Sequence, residues 1–204
     1  MVAEWLAFAT ARKDQPNPNA MTLATIDPDG RPSARVVLCR GLDVDRGVVT
    51  FFTNRNSAKG RALAAHPRAA LVFHWDHLDR QVRIEGPVTL APDSESDAYF
   101  ASRRAASRIG AWASDQSEPI ASREALLEKV VDAVARFGID LDDPEGVVVP
   151  RPPHWGGYRV WAERVELWMG SDVRVHDRAR WERTLTPSAD GFGAGAWSST
   201  RVQP

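Results

Sequence analysis

The stretch 21–39 constrains the fold more tightly than any other. Met21–Ile26 and Ser33–Cys39 are short apolar-rich runs, and Asp27-Pro28-Asp29-Gly30 lies between them. Proline presets φ near about −65° and glycine accepts positive φ, so this segment turns the chain back on itself. A chain that opens with such a hairpin is committed to antiparallel pairing. Further strands are predicted over Gly47–Asn54, Ala69–Trp75 and Gln81–Leu90. In the last of these, Val82 and Ile84 alternate with Gln81, Arg83 and Glu85, giving one apolar and one polar face. Three more are predicted over Gly157–Trp168, Arg174–Glu182 and Ala196–Val202, with Ser188–Gly195 as a loop between the last two.

Helices interrupt this series. Val2–Lys13 places Trp5, Leu6 and Phe8 on an apolar side, and Gln15–Asn19 is a Pro/Asn linker. A short helix starts near Ser57 and stops near Pro67. Asp93–Ala113 reads as one helix or two short ones. Ser122–Phe137 is a helix with Ser122 as cap, Glu124 in its first turn and Gly138 after its end. Asp140–His154 is a Pro/Gly-rich connection. About six to eight antiparallel strands with few helices favour a closed or partly closed barrel over an open sheet. The expected fold is therefore mainly β with inserted helices (α+β). It forms a single domain, 1–204, in which 1–18 is a helix and linker and 157–204 adds the closing strands.

Charge and cysteine usage exclude several classes. A net charge of −1 lacks the basic excess of a nucleic-acid binder. No apolar run approaches the roughly 18 residues of a membrane span. Met1–Lys13 has neither a basic lead nor a small-residue cleavage site, so no signal peptide is expected. The single cysteine, Cys39, excludes an intrachain disulfide and fits a cytoplasmic protein; its apolar surroundings predict a buried structural thiol.

Several constellations could carry chemistry. On a strand, Arg174, His176 and Arg178 would share a face. Three potential cations there repel unless an anion sits among them, and Asp177 points the other way. This predicts an anionic-ligand site; the alternative is a solvated hairpin face. On a helix, Tyr99, Arg103 and Ser107 would form one stripe of donors suited to a phosphate monoester, or simply a polar helix side. Ser57-Ala58-Lys59-Gly60 opens a helix just after Thr53, offering free N–H groups, a hydroxyl and an ammonium to a phosphate, with Arg35 as a plausible second charge. The alternative is an ordinary capped helix. His74 and His77 have the spacing of a metal pair but lack further ligands, so no metal is expected and Asp76-His77 reads as a turn. Of the eight tryptophans, Trp112 and Trp168 lie beside polar clusters and could wall an aromatic ligand. Together these features predict a phosphorylated aromatic ligand or a nucleotide.

Six blocks carry a resemblance: Arg35-Val-Val-Leu-Cys-Arg40, Phe52-Thr53-Asn54, Gln81-Val-Arg83, Gly110-Ala-Trp-Ala-Ser-Asp-Gln116-Ser117, His154-Trp-Gly-Gly-Tyr158 and Arg174-Val-His-Asp-Arg178. In order and interval the chain resembles the pyridoxine/pyridoxamine 5'-phosphate oxidases from about Asn19 to Pro204. The resemblance implies an FMN-binding split β-barrel and a homodimer with flavin at the subunit interface. It implies oxidation of pyridoxamine or pyridoxine 5'-phosphate to pyridoxal 5'-phosphate, with O2 as acceptor and H2O2 released. Carried over by position, FMN would meet Arg35, Val36, Leu38, Phe52, Thr53, Lys59, Gln81, Gln116, Ser117, Trp168 and Arg178. The substrate phosphate would meet Arg40, Tyr99, Arg103 and Ser107. Arg174 and His176, the residues assigned to catalysis, would face the pyridine ring. Three departures stand out. Arg40 replaces the usual lysine, Ala58 replaces an arginine of the FMN phosphate set, and the N-terminal segment that covers substrate in the family is absent here; the last two imply weaker FMN retention and a more open site, or a different substrate. A phenazine-type flavin oxidase on the same barrel and a non-catalytic flavin- or haem-binding module are the alternatives.

Overall fold

A computed structural model describes residues 1–140, 143 and 146–204. Residues 141, 142, 144 and 145, within the expected Asp140–His154 connection, lie outside the described residues. The chain divides into two compact units, one comprising Met1–Phe51, Ala62–Thr89 and Tyr158–Pro204, the other Phe52–Arg61 and Leu90–Gly157.

Antiparallel strands, most of whose residues lie in the first unit, make up the sheet. They are β1 (Ala20–Ile26), β2 (Pro32–Leu38), β3 (Gly41–Asp43), β4 (Val48–Asn54), β5 (Arg68–Trp75), β6 (Arg80–Leu90), β7 (Trp155–Trp161), β8 (Arg164–Met169), β9 (Asp177–Glu182) and β12 (Ser198–Arg201). Their order is β12-β9-β8-β6-β5-β1-β2, while β7 pairs with β6 and β4, and β4 with β3. The predicted first hairpin forms, with Leu23 opposite Arg35 and Ile26 opposite Pro32. Gly30 adopts φ 86° in its turn, as the Asp-Pro-Asp-Gly sequence requires. Inward residues alternate along the strands, and Leu23, Phe51, Leu71, Phe73, Val82 and Val160 form a core almost closed to solvent. Helix α1 (Val2–Arg12) packs Trp5 and Leu6 against it. The buried thiol of Cys39 is pushed above its usual pKa by loss of solvation, which leaves it inert as expected.

The prediction differs from the structure in the last third of the chain. The run 157–168 is two strands, because β7 ends at Trp161 and β8 begins at Arg164. The expected loop 188–195 contains a hairpin, β10 (Leu185–Ser188) with β11 (Gly191–Ala194). Twelve strands form among the described residues, more than expected, since these short pairs and β3 are too brief to show periodicity.

The second unit is mostly helical, with α3 (Asp93–Ala101), α4 (Ala105–Ala113) and α5 (Arg123–Phe137), and it includes the start of α2 (Ala58–Ala65). Ser122 caps α5 by accepting from the Ala125 N–H at 3.2 Å, and Gly138 ends it at φ 61°. Ile109, Ala113, Ala133 and Val149 make a small separate core, with Trp112 packed against it.

Candidate active site

In the second unit, polar groups converge on Lys59. Its Nζ donates to Gln116 Oε1 at 2.7 Å, Ser57 Oγ at 3.1 Å and Thr53 Oγ1 at 3.2 Å. Ser57 caps α2, since its Oγ accepts from the Gly60 N–H. Gly60 is obligatory here, because a Cβ would strike the Arg55 carbonyl. The first turn of α2 can thus close tightly behind the short link from β4, Arg55–Ser57. An ammonium, two hydroxyls, an amide and a helix N-terminus make a donor set that suits a phosphate. Ser117 follows Gln116 in the left-handed region at φ 78°, a conformation a serine holds only where its surroundings enforce it.

The same unit explains the Trp155-Gly156-Gly157 motif sterically. The Phe52 ring stacks on Tyr99 at 4.2 Å and on Trp155 at 5.6 Å between centroids. Gly157 leaves room for that ring, since a Cβ would lie 2.8 Å from Phe52 Cε1. Gly156 leaves room for the Arg55 guanidinium. The Arg103 guanidinium lies 4.8 Å above Trp155, held by cation–π attraction next to Tyr99. The single stripe predicted for Tyr99, Arg103 and Ser107 does not form: α3 ends at Ala101, Arg103 sits in the break, and exposed Ser107 belongs to α4. Of the two readings of 93–113, the structure takes two short helices. Trp112 donates to the Pro150 carbonyl and packs on Phe137, so it serves the small core.

In the first unit, a row crosses three strands. Gln81 on β6 lies directly opposite Trp168 on β8, and Trp168 directly opposite Arg178 on β9. Directly opposed residues share a face, so an amide, an indole and a guanidinium stand side by side. His176 packs on Trp168 at 4.7 Å between ring centroids. The Ser171 N–H donates to His176 Nδ1 at 3.2 Å, so the neutral ring carries its hydrogen on Nε2. Arg35 donates to the Leu23 carbonyl and to the hydroxyls of Thr25 and Ser33. Burial lowers its pKa, with the charge of Asp27 opposing. Along the same strand, Val36 is exposed and Leu38 half-buried, while exposed Arg40 follows β2.

The expected one-faced strand Arg174–His176–Arg178 does not form. Strand β9 begins only at Asp177, and Arg174 sits before it at φ 61° in a turn. The anion that such a cluster requires is Glu166, which pairs with Arg178 and which the sequence reading missed. Its signal was present, because Glu166 alternates with Val165 and Leu167 and so falls on the face of Trp168. Burial works to raise the Glu166 carboxyl, but hydrogen bonds from Arg178 and Arg180 and the charges of Arg178 and Arg83 outweigh it and hold it below the usual value. His77 falls in a single 3-10 turn, Asp76–Leu78, the turn expected there.

The chain is similar to known proteins along its whole length. A family model described as pyridoxamine 5'-phosphate oxidase matches residues 8–136, and one described as the pyridoxine 5'-phosphate oxidase C-terminal dimerisation region matches residues 155–204. A protein of Azorhizobium caulinodans named pyridoxine/pyridoxamine 5'-phosphate oxidase is 50% identical over 205 residues, covering 100% of this chain and 88% of the relative. A Burkholderia lata protein of the same name is 52% identical over 201 residues, covering 98% and 86%. Among solved structures, PhzG from Burkholderia lata 383, in complex with tetrahydrophenazine-1-carboxylic acid, aligns with a TM-score of 0.83 at 32% identity, covering 100% and 90%. A pyridoxamine 5'-phosphate oxidase-related, FMN binding protein of Nostoc punctiforme aligns with a TM-score of 0.71 at 20% identity, covering 100% and 95%. The fold is the expected split β-barrel with inserted helices. Among the described residues, no helix is long and apolar enough to cross a membrane.

Proposed function

The chain belongs to the pyridoxamine 5'-phosphate oxidase family, and from that premise we propose that it is an FMN-dependent oxidase of pyridoxamine 5'-phosphate and pyridoxine 5'-phosphate. It yields pyridoxal 5'-phosphate, passes two electrons to O2 and releases H2O2, with water taken up and ammonia lost from the amine substrate. It acts as a homodimer, a reading supported by the match to the dimerisation region.

The observation that carries this reading is the presence of two separate cationic donor sets in one unit. Lys59 gathers Thr53, Ser57 and Gln116, while Arg103 is seated beside Tyr99. An enzyme whose cofactor and substrate are both phosphate monoesters needs two such sets. The Lys59 set fits the FMN phosphate, and Gln81, Trp168 and Arg178 offer an amide, a flat indole and a cation to a flavin ring. Bound FMN supplies the two-electron acceptor that O2 reoxidises.

The chain's own residues bind and orient. Arg103 and Tyr99 take the substrate phosphate, with Arg40 and Ser107 as further contacts. Arg174 and His176 hold the pyridine ring so that the 4'-carbon meets the flavin. Because Nδ1 of His176 accepts from Ser171, the ring offers Nε2–H as a donor. It works by orientation and not as a base, and misorientation by about 1 Å can cost on the order of a hundredfold in rate.

A second reading is favoured by one observation, the alignment with PhzG: oxidation of a reduced phenazine carboxylate on the same barrel. Peroxide release by the flavin-loaded protein separates the two. Turnover of pyridoxamine 5'-phosphate far above pyridoxamine and above tetrahydrophenazine-1-carboxylic acid is expected. Turnover of the phenazine alone replaces the first reading with the second, and FMN binding with no turnover of any of them replaces both with a non-catalytic flavin carrier.

A further inference from the structure

The polar face of the first unit continues beyond the Gln81–Trp168–Arg178 row. Two residues along, Arg83, Glu166 and Arg180 lie opposite one another on the same three strands. Glu166 is 3% exposed, yet it is the centre of the cluster. One carboxylate oxygen accepts from Arg178 Nη2 at 2.6 Å and Nε at 3.2 Å. The other accepts from Arg180 Nη2 at 3.1 Å and Nε at 3.3 Å. Arg83 Nη1 stands 3.8 Å away, while its Nη2 pairs with Glu85 at 2.5 Å. The remaining arm of Arg178, Nη1, donates to the Gln203 carbonyl at 2.9 Å.

A buried carboxylate is costly unless its partners are well placed, so this one is a strongly held feature. Its geometry acts on Arg178 in particular. Side-on contact from Nε and Nη2 fixes the plane of the guanidinium, and Gln203 fixes its other end. A free arginine side chain samples many rotamers. Holding it in one place before a ligand arrives removes the cost of ordering it from binding.

We propose that Glu166 is a positioning residue for the flavin, acting through Arg178. This rests on the reading of Arg178 as a flavin contact, and the experiment keeps the two apart. The full chain, stripped of flavin, is titrated with FMN and followed by quenching of FMN fluorescence. The variants are Glu166→Gln, Arg178→Met, the double variant, and Arg180→Met, which removes the other partner of Glu166. Urea midpoints of the stripped proteins report folding separately. Glu166→Gln and Arg178→Met should each weaken FMN binding by about tenfold, and the double variant should bind no worse than Arg178→Met alone. Arg180→Met should bind within about twofold of the unmodified chain. Glu166→Asp should recover part of the loss. If Glu166→Gln does not fold with three arginines left around it, the same cycle is run on the Arg180→Met background, where one of those cations is gone. Unchanged FMN binding by Arg178→Met overturns the flavin-contact reading. Weakened binding by Arg178→Met with either no effect of Glu166→Gln or a fully additive one overturns the positioning role.

Discussion

The ring of Phe52 occupies the space that a side chain at residue 157 would need: a Cβ on Gly157 would stand 2.8 Å from Phe52 Cε1 and 2.7 Å from the Ala91 Cβ. Phe52 in turn is the platform on which Tyr99 stacks. Gly157→Ala should therefore destabilise the protein by about 1–3 kcal/mol, the usual range for overpacking a tight site. Urea denaturation measures it. A midpoint equal to that of the unmodified chain would show that Phe52 can move aside without cost.

Lys59→Met should weaken FMN by about tenfold to a hundredfold, the range for losing hydrogen bonds to a charged group, and leave riboflavin affinity unchanged. The converse change tests the departure at exposed Ala58, one residue earlier. Ala58→Arg should tighten FMN by up to about fivefold, as a solvated cation does, again without affecting riboflavin. Parallel titrations with both flavins decide it. Equal losses for FMN and riboflavin in Lys59→Met would take Lys59 away from the phosphate.

Arg174 is exposed and sits at φ 61°, so its side chain contributes little to the fold while its backbone is strained. Arg174→Ala should keep folding and FMN content, raise KM for pyridoxamine 5'-phosphate and lower kcat. Arg174→Gly relaxes the backbone but removes the same guanidinium, so it should lose as much activity. Steady-state peroxide assays with flavin spectra make the comparison. Full activity in the glycine variant would mean that the turn matters and the side chain does not.

The depressed pKa of Glu166 gives stability a defined pH dependence. Its carboxyl is held below the ordinary 4.5, so between that value and the native one the unfolded chain binds more protons. The stabilisation is complete above about pH 4.5 and is lost as the pH falls through the native value. Urea midpoints from pH 7 to pH 3 should show the gap between the unmodified chain and Glu166→Gln closing only in acid. A gap independent of pH would mean that Glu166 does not change its charge on this pathway.

Much of the scaffold was legible because its signals are local. Asp27-Pro28-Asp29-Gly30 declares a turn, Ser122 and Gly138 bracket a helix, and the Gln81–Glu85 alternation announces a two-faced strand. What was not legible depends on contacts or on backbone states with no residue signature. Nothing in Ala101-Ser-Arg103-Arg-Ala105 marks a helix break, since neither glycine nor proline is there, so the Tyr99–Ser107 stripe looked continuous. Period-two reasoning at Arg174–Arg178 presupposed an extended backbone, and a positive φ at an arginine cannot be foreseen from its identity. The short, glycine-rich strands of the β10–β11 hairpin carry too little apolar alternation to stand out. Gly156 and Gly157 could be noticed as a motif, but the reason for them lies in Arg55 and Phe52, about a hundred residues earlier in the chain. Lys59 was read beside Ser57 and Thr53 because a helix start after a short polar loop is itself a local arrangement, whereas Gln116, 57 residues on, carries no local signal of meeting it.

The pairing of Gln81 with Trp168 joins two strands that have the whole of residues 82–167 between them. The entropy of closing so long a loop grows only slowly with its length, so the interval costs little in equilibrium stability. Its effect falls on time. Contacts between distant parts of a chain form late and slowly, whereas the β1–β2 hairpin can form within its own turn. The joining of Gln81 to the Trp168–Arg178 pair is therefore expected late in the folding of the first unit. During refolding, capture of flavin by these residues should lag behind the recovery of β-structure.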